Sequence, residues 1–281
     1  MIRNGQFLWR SLTAMSLASS LAACVPAGGE PGERNLTAPQ GADGEAGAGG
    51  DASPGPTAPA PSGEAGEAGL AGIMDGLGDA ERAAVRLQQL KGFFIAADAL
   101  MRGSDLAPAG VLIGQGVLEV YHAFPNDMAG YDPTQAEAAS RIGLGRNPSR
   151  PAMADALRDA MAGVDAQIAS LDVNGAVIAG RMIEASEGLY RHVDLGDGLV
   201  DETEYQHSFA AAIAARDALV RDERRLRRIS PAAYAEALGE VEAFAALWNG
   251  PDAPAALLPL GDVLAQGSRA QLALSALQSG G

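Results

Sequence analysis

Between Met153 and Leu171 the large apolar residues fall at 153, 157, 161, 164, 168 and 171, and only a helix puts steps of three and four on one side. A strand would scatter the same residues over both of its faces. The pattern returns along the chain. Leu87, Leu90, Phe94, Ala97 and Met101 form a stripe that ends at Gly103, and Val177, Met182, Ala185 and Leu189 form another. Tyr205, Phe209, Ala212, Ile213 and Leu219 make a further one, as do Tyr234, Leu238, Val241, Ala245 and Trp248. Weaker helical patterns cover Pro108 to His122 and Gly261 to Leu277. The punctuation agrees: Pro151 stands at a first-turn position, Ser230-Pro231 supplies a cap and first turn, and Asn249-Gly250-Pro251 supplies a stop.

No stretch alternates over strand length, and no repeat of fixed period is visible. The sequence therefore predicts an all-α fold, a bundle of about six to eight helices, over residues 76–281. "GRNPSRP", Gly145 to Pro151, reads as a loop inside that one domain. Only 5% of the chain is aromatic, so the core has to be built from Ala, Leu, Val and Ile, of which Ala and Leu lose little on entering a helix. Tyr190, Tyr205, Phe209, Tyr234 and Trp248 all fit apolar stripes and are expected in that core.

The first residues obey different rules. Arg3 and Arg10 precede "SLTAMSLASSLAA", an apolar run of roughly a dozen residues, whereas a helix spanning a bilayer takes roughly 20. Residues 1–23 thus read as a signal peptide. The run closes on Leu21-Ala22-Ala23-Cys24, and Cys24 is the only cysteine of the chain, so no internal disulfide can form. The L-A-A-C box resembles the lipobox of bacterial lipoproteins. That resemblance implies thioether lipidation of Cys24, with palmitate among the acyl chains, and cleavage just before it. Val25 follows in place of an aspartate, which by the same resemblance favours the outer membrane. From residue 24 to 75 the chain is rich in Gly, Pro, Ala and Glu and nearly devoid of large apolar side chains. Such a composition cannot bury enough surface to offset its ordering entropy, so a disordered tether is expected. About 48 residues of this kind reach roughly 40 Å on average.

The formal net charge is −15, and its repulsion of polyphosphate argues against a nucleic-acid partner. The basic run "RDERRLRRI", Arg221 to Ile229, is expected to make i,i+4 pairs with Asp217, Asp222 and Glu223. Catalytic signatures are absent: no histidine pair at metalloprotease spacing, no nucleophile elbow and no phosphate loop.

The densest polar chemistry lies around "LGDGLVDETEYQHSF", Leu195 to Phe209. Here Asp194, Asp197, Asp201, Glu202 and Glu204 gather near His192 and His207, with Glu187 a few residues upstream. Imidazole plus carboxylate is a ligand set that iron, zinc or copper accepts, which makes Glu187, His192, Glu204 and His207 candidate metal ligands. Carboxylates at the start of a helix also have a plain structural use, because they complement the helix dipole and fill its unpaired amides. Both readings stand at this level. A calcium loop is a third: Asp197, Gly198, Val200, Asp201 and Glu204 match its fifth, sixth, eighth, ninth and twelfth positions, but Val193 and Leu195 then occupy the first and third, where side-chain oxygens are needed.

The segment "SEGLYRHVDLGDGLVDETEYQHSFAAAIAARDAL" looks like the helical periplasmic segment of bacterial FTR-type iron permeases and of related helical envelope proteins. The shared features are Asp197-Gly198, Leu199-Val200 and Glu204-Tyr205. "LKGFFIAADALMRG" through "GQGVLEVY" resembles a histidine-bearing segment of the same envelope proteins. Here Phe94, Leu112 and Gln115 stand where that pattern has histidine, while Glu119 and Tyr121 are kept. The resemblance implies metal binding and adds Glu119 to the candidate ligands.

Together these features predict a lipid-anchored, periplasm-facing protein of the bacterial cell envelope. Its helical domain is expected to be a non-enzymatic binding or envelope-maintenance module that meets another envelope protein. The alternative is a metal-binding accessory of iron uptake.

Overall fold

The computed structural model describes residues 71–103 and 106–278. The expected signal peptide, Cys24 and the expected tether up to residue 70 lie outside the described residues. The described residues start at 71, ahead of the expected domain boundary at 76. Ala71–Met74 forms a 3-10 turn, Ile73 is buried, and Arg181 Nη2 donates to the Asp75 carbonyl at 3.0 Å.

Among the described residues the fold is all-α, with nine α-helices. They are α1 (Asp79–Gly103), α2 (Leu106–Gln115), α3 (Thr134–Gly143), α4 (Arg150–Ser170), α5 (Gly175–Tyr190), α6 (Glu202–Arg221), α7 (Glu223–Ile229), α8 (Pro231–Ala245) and α9 (Leu260–Gln278). The stripes at 87–101, 153–171, 177–189, 205–219 and 234–248 map onto α1, α4, α5, α6 and α8. The stretch expected as one helix from Pro108 to His122 has two parts: α2 gives way to a π-helical turn over Gly116–His122. Such a turn widens the backbone by one residue and often sits beside a functional site. The expected basic run is broken at Asp222, which separates α6 from α7.

Pro151 and Ser230-Pro231 stand at helix starts as expected, and Ser149 and Asn174 are further caps. Ser149 Oγ accepts from the Ala152 amide at 3.3 Å, with Pro151 in the first turn of α4. Ser230 Oγ does the same for Ala233 at 3.2 Å ahead of α8. Asn174 opens α5, its Oδ1 accepting from Ala176 at 2.8 Å while its Nδ2 donates to the Leu277 carbonyl of α9.

Helix α6 packs against α5, α1 and α8; α9 lies on α8 and α5; and α3 lies on α2 and α4. The contact of α1 with α6 is close enough to need a glycine. A Cβ on Gly92 would stand 2.7 Å from the Ala210 carbonyl oxygen, well inside contact distance. Ala210, Ala211, Ala212, Ala214, Ala215 and Ala218 are all buried along α6, so small side chains let these helices approach. The expected aromatic core is present: Tyr190, Tyr205, Phe209, Tyr234 and Trp248 are buried, and Trp248 meets Tyr190 and Phe244 edge-on.

One polar cluster crosses this core. Lys91 Nζ on α1 donates to Asp165 on α4 at 2.7 and 2.9 Å and to Asp217 on α6 at 2.7 Å. Gln88 Nε2 donates to the Ala214 carbonyl at 2.9 Å, and Arg221 Nη1 reaches Gln88, Asp165 and Asp217. The expected i,i+4 pairs form for Arg221 with Asp217 and for Arg227 with Glu223. Asp222 instead accepts from the Gly175 amide at the start of α5, at 2.8 Å.

Candidate functional site

The acidic stretch opens on a structure the sequence did not announce. Asp194–Gly196 (β1) and Leu199–Val200 (β2) pair as a short antiparallel hairpin. Its turn puts Gly196, Asp197 and Gly198 in the left-handed region, at φ 82°, 53° and 76°. Two glycines and an aspartate tolerate that backbone, which branched residues would resist.

Asp201 then caps α6. Its Oδ1 accepts from the Thr203 and Glu204 amides at 3.0 and 3.1 Å. Glu202 and Glu204 occupy the first turn, where negative charge complements the helix dipole. The helix-start reading of this stretch therefore holds for Asp201.

Glu204 and His207 have a second character. Three residues apart on α6, they share an inward face, and both are buried. They line a largely enclosed cavity together with Gln89 and Phe93 of α1, Glu119 of the π-helical turn, Phe124 and Ala185 of α5. Its volume is about 30 Å³, room for a single ion or one or two waters. His207 is 6% exposed. Its ring meets Phe93 edge-on with centroids 4.8 Å apart, and among the described residues its Nε2 has no hydrogen-bond partner. Burial pushes its pKa down to about 4, against a smaller upward pull from Asp201. The imidazole is therefore neutral at pH 7. Phe124, at one wall, carries the Arg86 guanidinium 3.3 Å above its ring centroid.

The five candidate ligands divide three ways. Glu119, Glu204 and His207 reach the cavity. His192, half-buried after α5, lines a separate surface hollow with Asp194, Asp201 and Glu204, so Glu204 lies between the two histidines. Glu187 faces α9, where a Cβ on Gly267 would stand 1.8 Å from its Oε1. Burial in that contact raises the Glu187 pKa to about 7, with Arg191 pulling it down and Glu184 adding to the rise. Among the described residues no three His, Cys, Asp or Glu side chains are grouped so as to hold a metal ion. His122 is exposed, with Nε2 4.0 Å from Glu137; the backbone closes the π-helical turn itself, the Ala123 amide donating to the Leu118 carbonyl.

Gln89, Phe93 and Phe124 belong to the cavity but carried no sequence signal of their own. For Phe93 none was available, because an aromatic on an apolar stripe looks the same whether it fills a core or lines a chamber.

No family model, curated protein or solved structure matches the chain. Among the described residues no helix is long and apolar enough to cross a membrane.

Proposed function

We propose that this chain is a lipid-anchored protein of the bacterial cell envelope, whose helical domain is a non-enzymatic binding module facing the periplasm. The observation that carries the reading is the order of features at the N-terminus. Two arginines, a short apolar run and Leu21-Ala22-Ala23 lead to the only cysteine in the chain. More than one acyl chain at that position gives a stable anchor, since each buried methylene contributes about 0.8 kcal/mol. The composition of the linker gives the domain reach beyond the lipid surface. Detergent phase partitioning of the protein expressed in a bacterium tests the reading. The wild-type chain is expected in the detergent phase and the Cys24→Ser variant in the aqueous phase; equal partitioning of the two contradicts it.

A second reading, a metal-binding accessory of iron uptake, is favoured by one observation: buried His207, whose Nε2 has no hydrogen-bond partner among the described residues, lines a cavity together with Glu119 and Glu204. The donor set suits iron or zinc in kind. In placement it is not a ready cage, because the carboxylates are not grouped around Nε2. Metal analysis and thermal melting with iron, zinc and copper test it. A bound metal raises the melting temperature of the wild type through its preference for the folded state, and His207→Ala removes the rise.

A further inference from the structure

The outer side of α2 departs from what a surface helix in an acidic protein should look like. The inner side of α2 and of the π-helical turn that continues it is spent on the core: Ala109, Leu112 and Ile113 of the helix and Val117 and Val120 of the turn are buried. On the outside α2 presents Val111, 51% exposed, and the turn presents Leu118, 64% exposed. Between them Gly114 leaves a gap that Leu144, at the end of α3, fills: a Cβ on Gly114 would lie 3.0 Å from Leu144 Cδ1. Leu144 is itself 60% exposed. Three large apolar side chains thus form one uncovered ridge, and no charged residue occurs anywhere from Leu106 to Leu118.

The charge beside the ridge is of the opposite sign to the chain's. From Ala138 to Ala154 there are three arginines, Arg141, Arg146 and Arg150, and no aspartate or glutamate, in a chain of net charge −15. Arg141 pairs with Glu137 at 3.7 Å. Arg146 and Arg150 are exposed, and neither makes an ion pair among the described residues. Arg146 stands in the loop that leads from Leu144 to α4, and Arg150 is the first residue of α4.

We propose that this ridge docks on an anionic phospholipid bilayer, with Val111, Leu118 and Leu144 entering the interface and Arg146 and Arg150 meeting the headgroups. The chemistry selects that occupant over others. Exposed leucines beside unpaired arginines match a surface that is apolar beneath and negative above. The acidic remainder of the chain is repelled by the same surface, which leaves this face as the one that turns toward it. Of the carboxylates nearest the ridge, Glu137 pairs with Arg141 and Glu119 lines the cavity; acidic groups more than about 10 Å away are screened at 0.1 M salt. The inference goes beyond the anchor at Cys24 and does not need it: an acyl chain brings the domain near a bilayer, whereas this face sets how the domain lies on it.

The experiment uses the chain from residue 24 onward carrying Cys24→Ser, so that neither an acyl chain nor the apolar run of residues 1–23 contributes, and co-sedimentation with vesicles of phosphatidylglycerol and phosphatidylcholine or of phosphatidylcholine alone. Binding is expected to the anionic vesicles and to fall sharply in 0.5 M salt. Arg146→Gln with Arg150→Gln is expected to weaken it by roughly fivefold per arginine. Leu118→Ser with Leu144→Ser is expected to weaken it by at least about tenfold. Leu272→Ser, removing an exposed leucine on α9, leaves it unchanged. All five positions are exposed, so the variants keep the fold, which the far-ultraviolet helix signal verifies. Equal binding by the wild type and both double variants overturns the proposal, as does equal binding to neutral vesicles. So does a concentration-dependent dimer that the leucine variant abolishes, which would assign the ridge to a second copy of the chain. A failed anchor shows itself elsewhere, as an unmodified Cys24, and leaves these outcomes untouched.

Discussion

Lys91 Nζ lies 2.7 Å from Asp217 Oδ2, joining α1 to α6 through the only lysine in the chain. The same ammonium holds Asp165 of α4 at 2.7 Å, so one cation balances two carboxylates from different helices. Lys91→Ala would leave those carboxylates facing each other with only Arg221 between them. Removing one partner of a fully buried pair costs about 3–5 kcal/mol. Because the Asp165 side chain is 38% exposed, water relieves part of that, and the expected loss is about 2–3 kcal/mol. Urea unfolding measures it, and a loss of a few tenths would show the cluster to be incidental.

His207 gives the domain a specific weakness to acid. Its folded pKa of about 4 lies below the ordinary value of about 6.5, so the unfolded chain takes up a proton that the folded one refuses. Stability from this group is complete above about pH 6.5 and is lost as pH falls toward 4, by up to about 3 kcal/mol. His207→Leu should flatten unfolding free energy over that window. An unchanged slope would mean that the imidazole is solvated in the native state.

Glu187 works in the opposite direction. Its folded pKa of about 7 exceeds the ordinary value of about 4.3, so the folded form holds the proton more tightly and loses stability as pH rises from about 4.5 to 7. Glu187→Gln keeps the shape of the contact with Gly267 and removes the charge. The variant is expected to be about 1–2 kcal/mol more stable than wild type at pH 8 and equal to it at pH 4. Thermal melting at the two pH values separates this from a general packing effect, which would be the same at both.

Asp201 caps α6 with its side chain. Losing its two amide contacts at the start of α6 through Asp201→Ala should cost about 1 kcal/mol. Asp197, at φ 53°, should behave otherwise: Asp197→Gly relieves a left-handed residue and is expected to be neutral or slightly stabilising in the same assay.

The helices were readable because each buries one long side. The stripe from Met153 to Leu171 has to face a core, and Met153, Leu157, Val164 and Ile168 do. Pro151 and Ser230-Pro231 were readable as punctuation because a proline suits the first turn of a helix whatever packs around it. The site was legible only in part. Three positions along a helix place Glu204 beside His207, but nothing local shows that α1 and the π-helical turn close over them. The π turn itself replaces an expected regular helix where Gly114 and Gly116 interrupt α2. His192 and Glu187 looked like partners of His207 because they are near in sequence; the reversal of the chain at the hairpin and the packing of α9 on α5 send them elsewhere.

The state of Cys24 decides the central claim most directly. Mass spectrometry of the N-terminal peptide from protein purified out of bacterial membranes should show residue 24 first in the chain and carrying acyl mass. A free thiol at residue 24, or a peptide still beginning at Met1, would contradict it.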